Sequence, residues 1–394
     1  MYLKKTTLLS IFCLIVTLVQ SQEIVIRDSD NFVKASLLVM TPGEASYSGL
    51  GHCALRMECP SEQLDYCFTL EMNTEFHDYI HFFTGNAEAK VLAIPTPDFL
   101  KPYISEKRGA KQYELNLNLE EKQELWKNLD EEMVKPPHLK FNFLNTNCVM
   151  MCMMMIESSL INEQINFNHL PHYMQEDNGQ RIRYITRNNS WQQFFYILLA
   201  GAACDKYYDM EYTMSPETIV EILNKAEIQN KEGVSRSVLK GEQKQLLPET
   251  AKVEQLYISP TLLFGMILLI VIVFTILKWI FNWELPVKII DIALLASQTI
   301  IGIILLYTSL IANLFGTRWN WYLIPFIPLP FIIWLLFHQK KDFYIVYAIY
   351  SLILILFICA TPFSSQLDWI HQLAILPLLV RSLSLYFEKK KEKK

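Results

Sequence analysis

The segment GHCALRMECPSEQLDYCFTLEM, residues 51–72, predicts a pair of neighbouring β-strands. Apolar and polar residues alternate in GHCALRMEC, which is the pattern of a strand with one buried face. The residues PSEQ at 60–63 are typical of a tight turn, and LDYCFTLEM then returns as the next strand. We therefore expect a β-hairpin, with His52 at the start of its first strand and Asp65 on its second.

The hairpin belongs to a globular block that we expect to cover residues 22–256. Further strands are predicted in ASLLVMTPG before the hairpin and in KVLAIPTP and AKQYELNLN after it. The segment NLEEKQELWKNLDEEMV has the periodicity of an amphipathic helix, and another helix begins at Cys148. Beyond Ile161 the pattern is mostly helical, and the polar residues 227–256 resemble a connector to a membrane domain. We expect an α+β domain.

The two ends of the chain are apolar for different reasons. Residues 1–21 have Lys4 and Lys5, a short apolar run and small residues after it, the pattern of a secretory signal peptide. Residues 257–394 contain five apolar stretches, each near the ~20 residues that a helix needs to cross a bilayer. They are 259–281, 288–312, 320–338, 343–362 and 366–387. With the N-terminal domain exported, the basic loops fall on the cytoplasmic side.

The charge pattern gives no support for a nucleic-acid partner. The net charge is −5, and the terminal EKKKEKK is typical of a cytoplasmic topology anchor. His77 and His81 lie four residues apart, a spacing that can bind zinc, but no glutamate accompanies them in the H-E-x-x-H pattern. We expect no metal, no other cofactor and no nucleic acid.

Cys148 is the first candidate nucleophile. In FNFLNTNCVMMC it opens a helix directly after Asn147, a residue type that commonly caps helices. The unpaired N–H groups and positive dipole end of a helix start lower a thiol pKa, and the same N–H groups can hold an oxyanion. The position also suits a cysteine that is simply packed as a small apolar residue. The segment alone leaves both interpretations open.

A thiol nucleophile needs a base, and His52 is the candidate. It begins a strand after a glycine turn, where its side chain can be held rigidly at the edge of a cleft. Asp65 on the returning strand could accept the other ring N–H and hold the ring in one tautomer. Asn147 is the alternative orienting or oxyanion-hole group. A histidine at a strand start is by itself more often structural, so the assignment depends on its pairing with Cys148.

An early Gly-His strand followed by a later Asn-Cys helix start resembles the Lnb N-terminal periplasmic domain family. The resemblance covers about residues 35–225 and runs through LGHCALRM, FFTGNAEAKVLAIPTPDFLKPY, YELNLNLEEKQELWKNL, FNFLNTNC, IRYIT and GAACDKYY. The order of histidine first and cysteine later also resembles the circularly permuted branch of the papain-like NlpC/P60 and lecithin:retinol acyltransferase group. The resemblance implies a Cys–His active site at Cys148 and His52, and an acidic residue matched by Asp65.

The resemblance implies a permuted papain-like (NlpC/P60-like) periplasmic domain followed by a five-helix transmembrane bundle in the bacterial inner membrane. It implies lipoprotein N-acylation, with a phospholipid as acyl donor and a diacylated lipoprotein as acceptor. Cys148 would carry the acyl chain as a thioester before the α-amino group of the lipoprotein accepts it. Two other functions stay open: a papain-like peptidase or amidase acting on the cell wall, and a non-enzymatic membrane scaffold.

Overall fold

The computed structural model describes residues 32–43, 48–72, 80–81, 84–135, 139–142, 146–167, 172–206, 215–250, 258–314, 316–337 and 343–393. The signal peptide expected at 1–21 lies outside these residues, as does His77.

The hairpin expected at 51–72 is present and lies at the centre of the soluble half. Strand β1 (Lys34–Met40) pairs antiparallel with β2 (His52–Cys59), which pairs antiparallel with β3 (Leu64–Met72). Cys59 is opposite Leu64 directly across the turn. The hairpin predicted from the alternation and the PSEQ turn is therefore confirmed.

These strands are part of a seven-stranded antiparallel sheet, whose other members are β4 (Glu88–Pro95), β5 (Ala110–Leu115), β6 (Leu139–Lys140) and β10 (Leu239–Leu247). The order of the strands across the sheet is β10-β5-β1-β2-β3-β4-β6. The position of β10 corrects one expectation, because it comes from the polar segment read as a connector. That segment pairs with β5 at the sheet edge, where most of its side chains face solvent.

The alternation of the strands gives the sheet two apolar faces. Leu55 and Phe68 belong to the larger core, on the face covered by α2 (Leu119–Val134) and α3 (Cys148–Ser158). Ala54 and Cys67 lie on the opposite face, covered by α1 (Thr96–Ser105). His52 has the same strand parity as Ala54, so its ring is on the α1 side. The cysteines of the described residues are all free thiols.

The second half of the soluble block contains more β structure than the sequence pattern predicts. A small sheet is formed by β7 (Glu163–Asn166), β8 (Glu227–Asn230) and β9 (Ser235–Ser237). The described residues of this part also form three α-helices: α4 (Asn178–Ile185), α5 (Ser190–Leu199) and α6 (Pro216–Leu223). Ser215 caps α6 in a capping box that uses Thr218.

The C-terminal part of the chain consists of apolar helices. They are α7 (Pro260–Phe281), α8 (Glu284–Leu310), α9 (Leu323–Phe326), α10 (Leu329–Phe337), α11 (Tyr344–Cys359) and α12 (Trp369–Lys393). Among the described residues, three helices are long and apolar enough to cross a bilayer: α7, α8 and the first 23 residues of α12. The stretch expected at 320–338 is instead split between α9 and α10, where the proline-containing IPLP interrupts the helix.

The N-terminal half of the chain is hydrogen-bonded to loops that connect these helices. Arg183 in α4 donates through Nε to a carboxylate oxygen of Asp368 at 3.1 Å, and through Nη2 to the carbonyl of Ser365 at 2.7 Å. The N–H of Ala202 donates to the carbonyl of Arg318 at 3.1 Å. These bonds join residues more than a hundred positions apart, so the two halves share a packed interface. We call this interface the seam; it includes Arg183 and Ala202 on one side and Arg318, Ser365 and Asp368 on the other.

Candidate active site

Cys148 is the first residue of α3, as the sequence predicts. Asn147 caps the helix, and its side-chain oxygen accepts the N–H groups of Val149 and Met150, each at 3.0 Å. The cap fixes the point at which the chain turns into the helix, and the apolar face of α3 is buried beneath the sheet. Cys148 itself is only partly buried, so its thiol lies at the margin of the core.

The structure brings the Cys148 thiol and the His52 ring into hydrogen-bonding contact. His52 is held at the start of β2 by Gly51, whose φ of +87° is a conformation that favours glycine. A Cβ at position 51 would also lie 2.6 Å from the carbonyl oxygen of Met40. The glycine therefore allows the chain to pass close to β1 immediately before the histidine.

A chain of hydrogen bonds leads away from the other side of the His52 ring. Nε2 lies 2.6 Å from Oγ1 of Thr69, and the Thr69 hydroxyl donates to Oε1 of Glu71 at 3.0 Å. Since the single hydroxyl proton of Thr69 goes to Glu71, its oxygen must accept from Nε2–H. The neutral ring then carries its proton on Nε2 and leaves the lone pair of Nδ1 for the thiol. That is the tautomer a general base for Cys148 requires.

Asp65 lies elsewhere, which corrects the expectation that it orients His52. Its carboxylate accepts two hydrogen bonds from Arg56, at 2.8 and 2.7 Å, and one from Thr96 at 2.6 Å. Asp65 and Glu71 are six positions apart on β3, a separation of about 20 Å along an extended strand. Asp65 is thus a structural partner of Arg56, and Glu71 is the acid beside the His52 ring, with Oε1 3.5 Å from Nε2.

The charges of the site favour a thiolate–imidazolium pair. The hydrogen bond from Cys53 lowers the pKa of Cys148 well below its usual value, and the charge and hydrogen bond of His52 add to this effect against the opposing effect of burial. Burial would lower the pKa of His52, but Tyr103, Cys148 and Glu71 around the ring raise it well above its usual value. Contacts with His52 and Thr69 in turn lower the pKa of Glu71, although burial opposes this.

Cys53 is a part of the site that the sequence reasoning missed. Burial raises the pKa of its thiol well above the usual value, as do its contacts with Cys148 and Cys152. Cys53 therefore stays protonated and can donate to the sulfur of Cys148, to which its backbone N–H also donates. A cysteine that follows the histidine on β2 points to the α3 side of the sheet. His52 and Cys53 are therefore neighbours on β2 that interact with Cys148 from opposite faces of the sheet.

Helix α5 connects this site to the membrane helices. A Cβ on Gly49, in the loop before His52, would lie 3.1 Å from Nε2 of Gln192 in α5. On the same helix, the ring of Phe194 packs 5.2 Å from that of Phe264 in α7 and 4.3 Å from that of His371 in α12. The loop that carries the histidine therefore rests on a helix that is itself packed on two membrane helices.

Across the described residues, no group of three His, Cys, Asp or Glu side chains is arranged to hold a metal ion. The groups gathered at Cys148 are instead those of thiol chemistry: a cysteine at a capped helix start, a histidine with a fixed tautomer, and an acid behind it. Such a set can attack an acyl carbonyl and pass the acyl group on.

Comparison with known families gives two matches, one in each half of the chain. Residues 28–185 match the Lnb N-terminal periplasmic domain, and residues 252–393 match the Lnb transmembrane domain. No curated protein and no solved structure matches the chain. The first match contains both His52 and Cys148, and the second contains all the helices from α7 to α12. Because the two matches together cover more than half of the chain, the chain belongs to the Lnb family.

Proposed function

We propose that this protein is a lipoprotein N-acyltransferase that carries the acyl group as a thioester on Cys148. Its family membership and its apolar helices describe an inner-membrane protein with a periplasmic domain and imply a lipoprotein-modifying role. The observation that carries the finer proposal is the Cys148–His52 pair, with the hydrogen-bond chain through Thr69 to Glu71 behind it. Catalysis is assigned to Cys148 and His52, with Asn147 holding the helix start.

The first half of the reaction would acylate the enzyme. The Cys148 thiolate attacks the ester carbonyl carbon of a phospholipid acyl chain, forming a C–S bond and a tetrahedral oxyanion. The oxyanion collapses, the C–O bond to the glycerol breaks, and protonated His52 gives its Nδ1 proton to the departing alkoxide. The products are a lysophospholipid and an acyl-thioester on Cys148, beside a neutral histidine.

The second half would return the enzyme to its starting state. The α-amino group of a diacylglyceryl-cysteine lipoprotein attacks the thioester carbonyl, and neutral His52 accepts a proton from the attacking nitrogen. The C–N bond forms, the C–S bond breaks, and Cys148 leaves as the thiolate beside the imidazolium. The partly buried position of Cys148 would limit the access of water to the thioester between the two half-reactions.

The architecture proposed for this function follows the sequence-based division of the chain. A signal peptide at 1–21 would export a papain-like domain at 22–256, with the permuted order of histidine before cysteine. A transmembrane domain at 257–394 would then cross the inner membrane five times, α9 with α10 and α11 supplying the two crossings besides the three long helices. The membrane helices would position both lipid substrates beneath Cys148.

The proposal is tested by intact-protein mass spectrometry of the full-length protein in detergent with phosphatidylethanolamine. We expect Cys148 to gain one fatty-acyl mass in the wild type, and a diacylated lipopeptide to discharge it. Cys148→Ala should show no adduct, and His52→Ala should acylate slower by roughly 10²-fold or more, as expected for loss of a general acid–base. Cys359→Ser, which alters an exposed thiol on α11, is the matched control.

Two results would count against the proposal. An acyl adduct that persists in Cys148→Ala would place the chemistry on another residue. A wild-type protein that gains no acyl mass, but cleaves cell-wall peptides through Cys148, would make it a peptidase of the papain-like kind.

A further inference from the structure

The start of α3 offers fewer free N–H groups than the sequence suggests. The side-chain oxygen of Asn147 takes the N–H groups of Val149 and Met150, and the N–H of Met151 donates to the carbonyl of Asn147 at 3.0 Å. Within the described part of the chain, the N–H of Cys148 itself is the one first-turn donor without a partner. An oxyanion formed at Cys148 therefore needs a second donor from outside the helix.

Tyr103 is placed to supply that donor. Helix α1 crosses the sheet face that carries His52, and the ring of Phe99 on this helix lies 6.3 Å from His52 and 5.3 Å from Tyr103. Tyr103 is thus one aromatic ring away from His52 across Phe99, and the charges of His52 and Cys148 both act on the pKa of Tyr103. No hydrogen-bond partner for this hydroxyl is found among the described residues.

The surroundings of Tyr103 keep it both rigid and protonated. Burial raises the pKa of Tyr103 to about 12, so the hydroxyl is a donor at neutral pH. The guanidinium of Arg108 lies 4.7 Å from the ring centroid, within the range of a cation–π contact. Arg108 is itself fixed, since Nε donates to the carbonyl of Thr41 at 2.7 Å and Nη1 to Glu106 at 3.1 Å. A polar group held in this way pays little reorganisation cost during the reaction.

We propose that the hydroxyl of Tyr103 and the N–H of Cys148 together form the oxyanion hole. As the thiolate adds to the acyl carbonyl, the π electrons move to oxygen, and the two donors hydrogen-bond to the negative charge. When the intermediate collapses, the electrons return, the leaving group departs, and Tyr103 keeps its proton throughout. The same two donors serve the attack of the amine on the thioester. This assignment rests on the proposed acyl transfer at Cys148.

The test compares two reactions of Cys148 that differ in the need for an oxyanion hole. Acylation by p-nitrophenyl butyrate passes through a tetrahedral oxyanion, whereas alkylation by iodoacetamide displaces iodide and forms none. For Tyr103→Phe, in the full-length protein in detergent, we expect acylation to slow by roughly 10²-fold, the cost of removing one oxyanion-hole donor. Alkylation at neutral pH should stay within about twofold of wild type, because Tyr103 is protonated there and Tyr103→Phe removes no charge from beside the thiolate.

Tyr113→Phe is the matched control, since the hydroxyl of Tyr113 binds Gln243 at 2.9 Å on the far side of β1. Equal rates of acylation in Tyr103→Phe and wild type would overturn the oxyanion assignment alone. An equal loss in acylation and alkylation would also overturn it, because Tyr103 would then act on the thiolate or on packing. A wild type that is alkylated but never acylated by the ester would overturn the acyl-transfer chemistry as well.

Discussion

The direction of one hydrogen bond sets the chemistry available to His52. Thr69 can accept from Nε2–H only while its own proton goes to Glu71, so the threonine and the acid act together on the ring. The ring nitrogen facing Cys148 is thereby the basic one. Thr69 is fully buried, which keeps water from offering a competing partner.

Replacing Thr69 with valine removes this bond while keeping the shape of the side chain. We expect the rate of Cys148 acylation by p-nitrophenyl butyrate to fall by roughly 10- to 100-fold, because the tautomer is no longer fixed. Thr96→Val is the matched control, since Thr96 is nearly as buried and lies on the same side of the sheet but bonds Asp65. A Thr69→Val rate equal to that of Thr96→Val would remove Thr69 from the mechanism.

The two acids of β3 should differ in their effect on the pH profile of acylation. Glu71 raises the pKa of His52, so Glu71→Gln lowers that pKa and the imidazolium is lost at a lower pH. We expect the basic limb of the profile to move to lower pH in Glu71→Gln and to stay in place in Asp65→Asn. The acidic limb, set by the depressed pKa of Cys148, falls as the pH drops through that value. If the basic limb moves in Asp65→Asn and not in Glu71→Gln, Asp65 rather than Glu71 acts on His52.

The cap of α3 allows stability and reactivity to be separated. Asn147→Ala leaves two amides without their acceptor and should cost about 1 kcal/mol, seen as a lower thermal midpoint. Asn147→Asp keeps an acceptor for these amides, so its thermal midpoint should stay at the wild-type value. Its negative charge beside Cys148 should raise the thiol pKa and move the iodoacetamide profile to higher pH. An unchanged alkylation profile in Asn147→Asp would mean that the cap does not act on the thiol.

The hairpin shows how far the sequence could lead to the site. With PSEQ as the turn, Cys59 is opposite Leu64, and counting back along β2 sets His52 opposite position 71. The same count, available from the sequence once the turn is assigned, favours Glu71 over Asp65. Tyr103 could not be found in this way, because its approach to His52 depends on how α1 crosses the sheet. That crossing is a matter of tertiary packing rather than local pattern.

The sequence pattern also failed to predict strand β10 and the break in the apolar stretch at 320–338, and each failure has a physical reason. β10 is a polar edge strand with exposed side chains, so it lacks the alternation that reveals a strand with one buried face. The stretch at 320–338 has the apolar content of a span, but its prolines break the regular hydrogen bonding and leave two short helices. Hydropathy indicates which segments can lie in lipid. An unbroken helix also needs backbone N–H groups, which proline lacks.

The seam joins the two halves through close contacts of backbone with backbone. Gly85, Gly179 and Gly201 in the soluble half lie against the loops at Asn313, Ser365 and Arg318, respectively. Added side chains at these glycines would meet backbone atoms, which cannot rotate away. The soluble half is thus held at a fixed distance from the membrane helices, and the loop before His52 shares that support through α5.

This arrangement predicts that Gly179→Ala harms transfer from lipid more than the chemistry at Cys148. Alanine gains up to about 1 kcal/mol of helix propensity in α4, but its Cβ would lie 2.7 Å from the carbonyl oxygen of Ser365. We expect acylation from phosphatidylethanolamine to fall by roughly 10-fold or more, since misplacement by about 1 Å can cost ~10²-fold. Acylation by p-nitrophenyl butyrate should be nearly unchanged. The control is Gly265→Ala in α7, where an added Cβ meets nothing within 4 Å. If the acylation rates with phosphatidylethanolamine and with p-nitrophenyl butyrate fall equally in Gly179→Ala, the seam shapes the active site itself. If neither rate changes, the lipid reaches Cys148 independently of this contact.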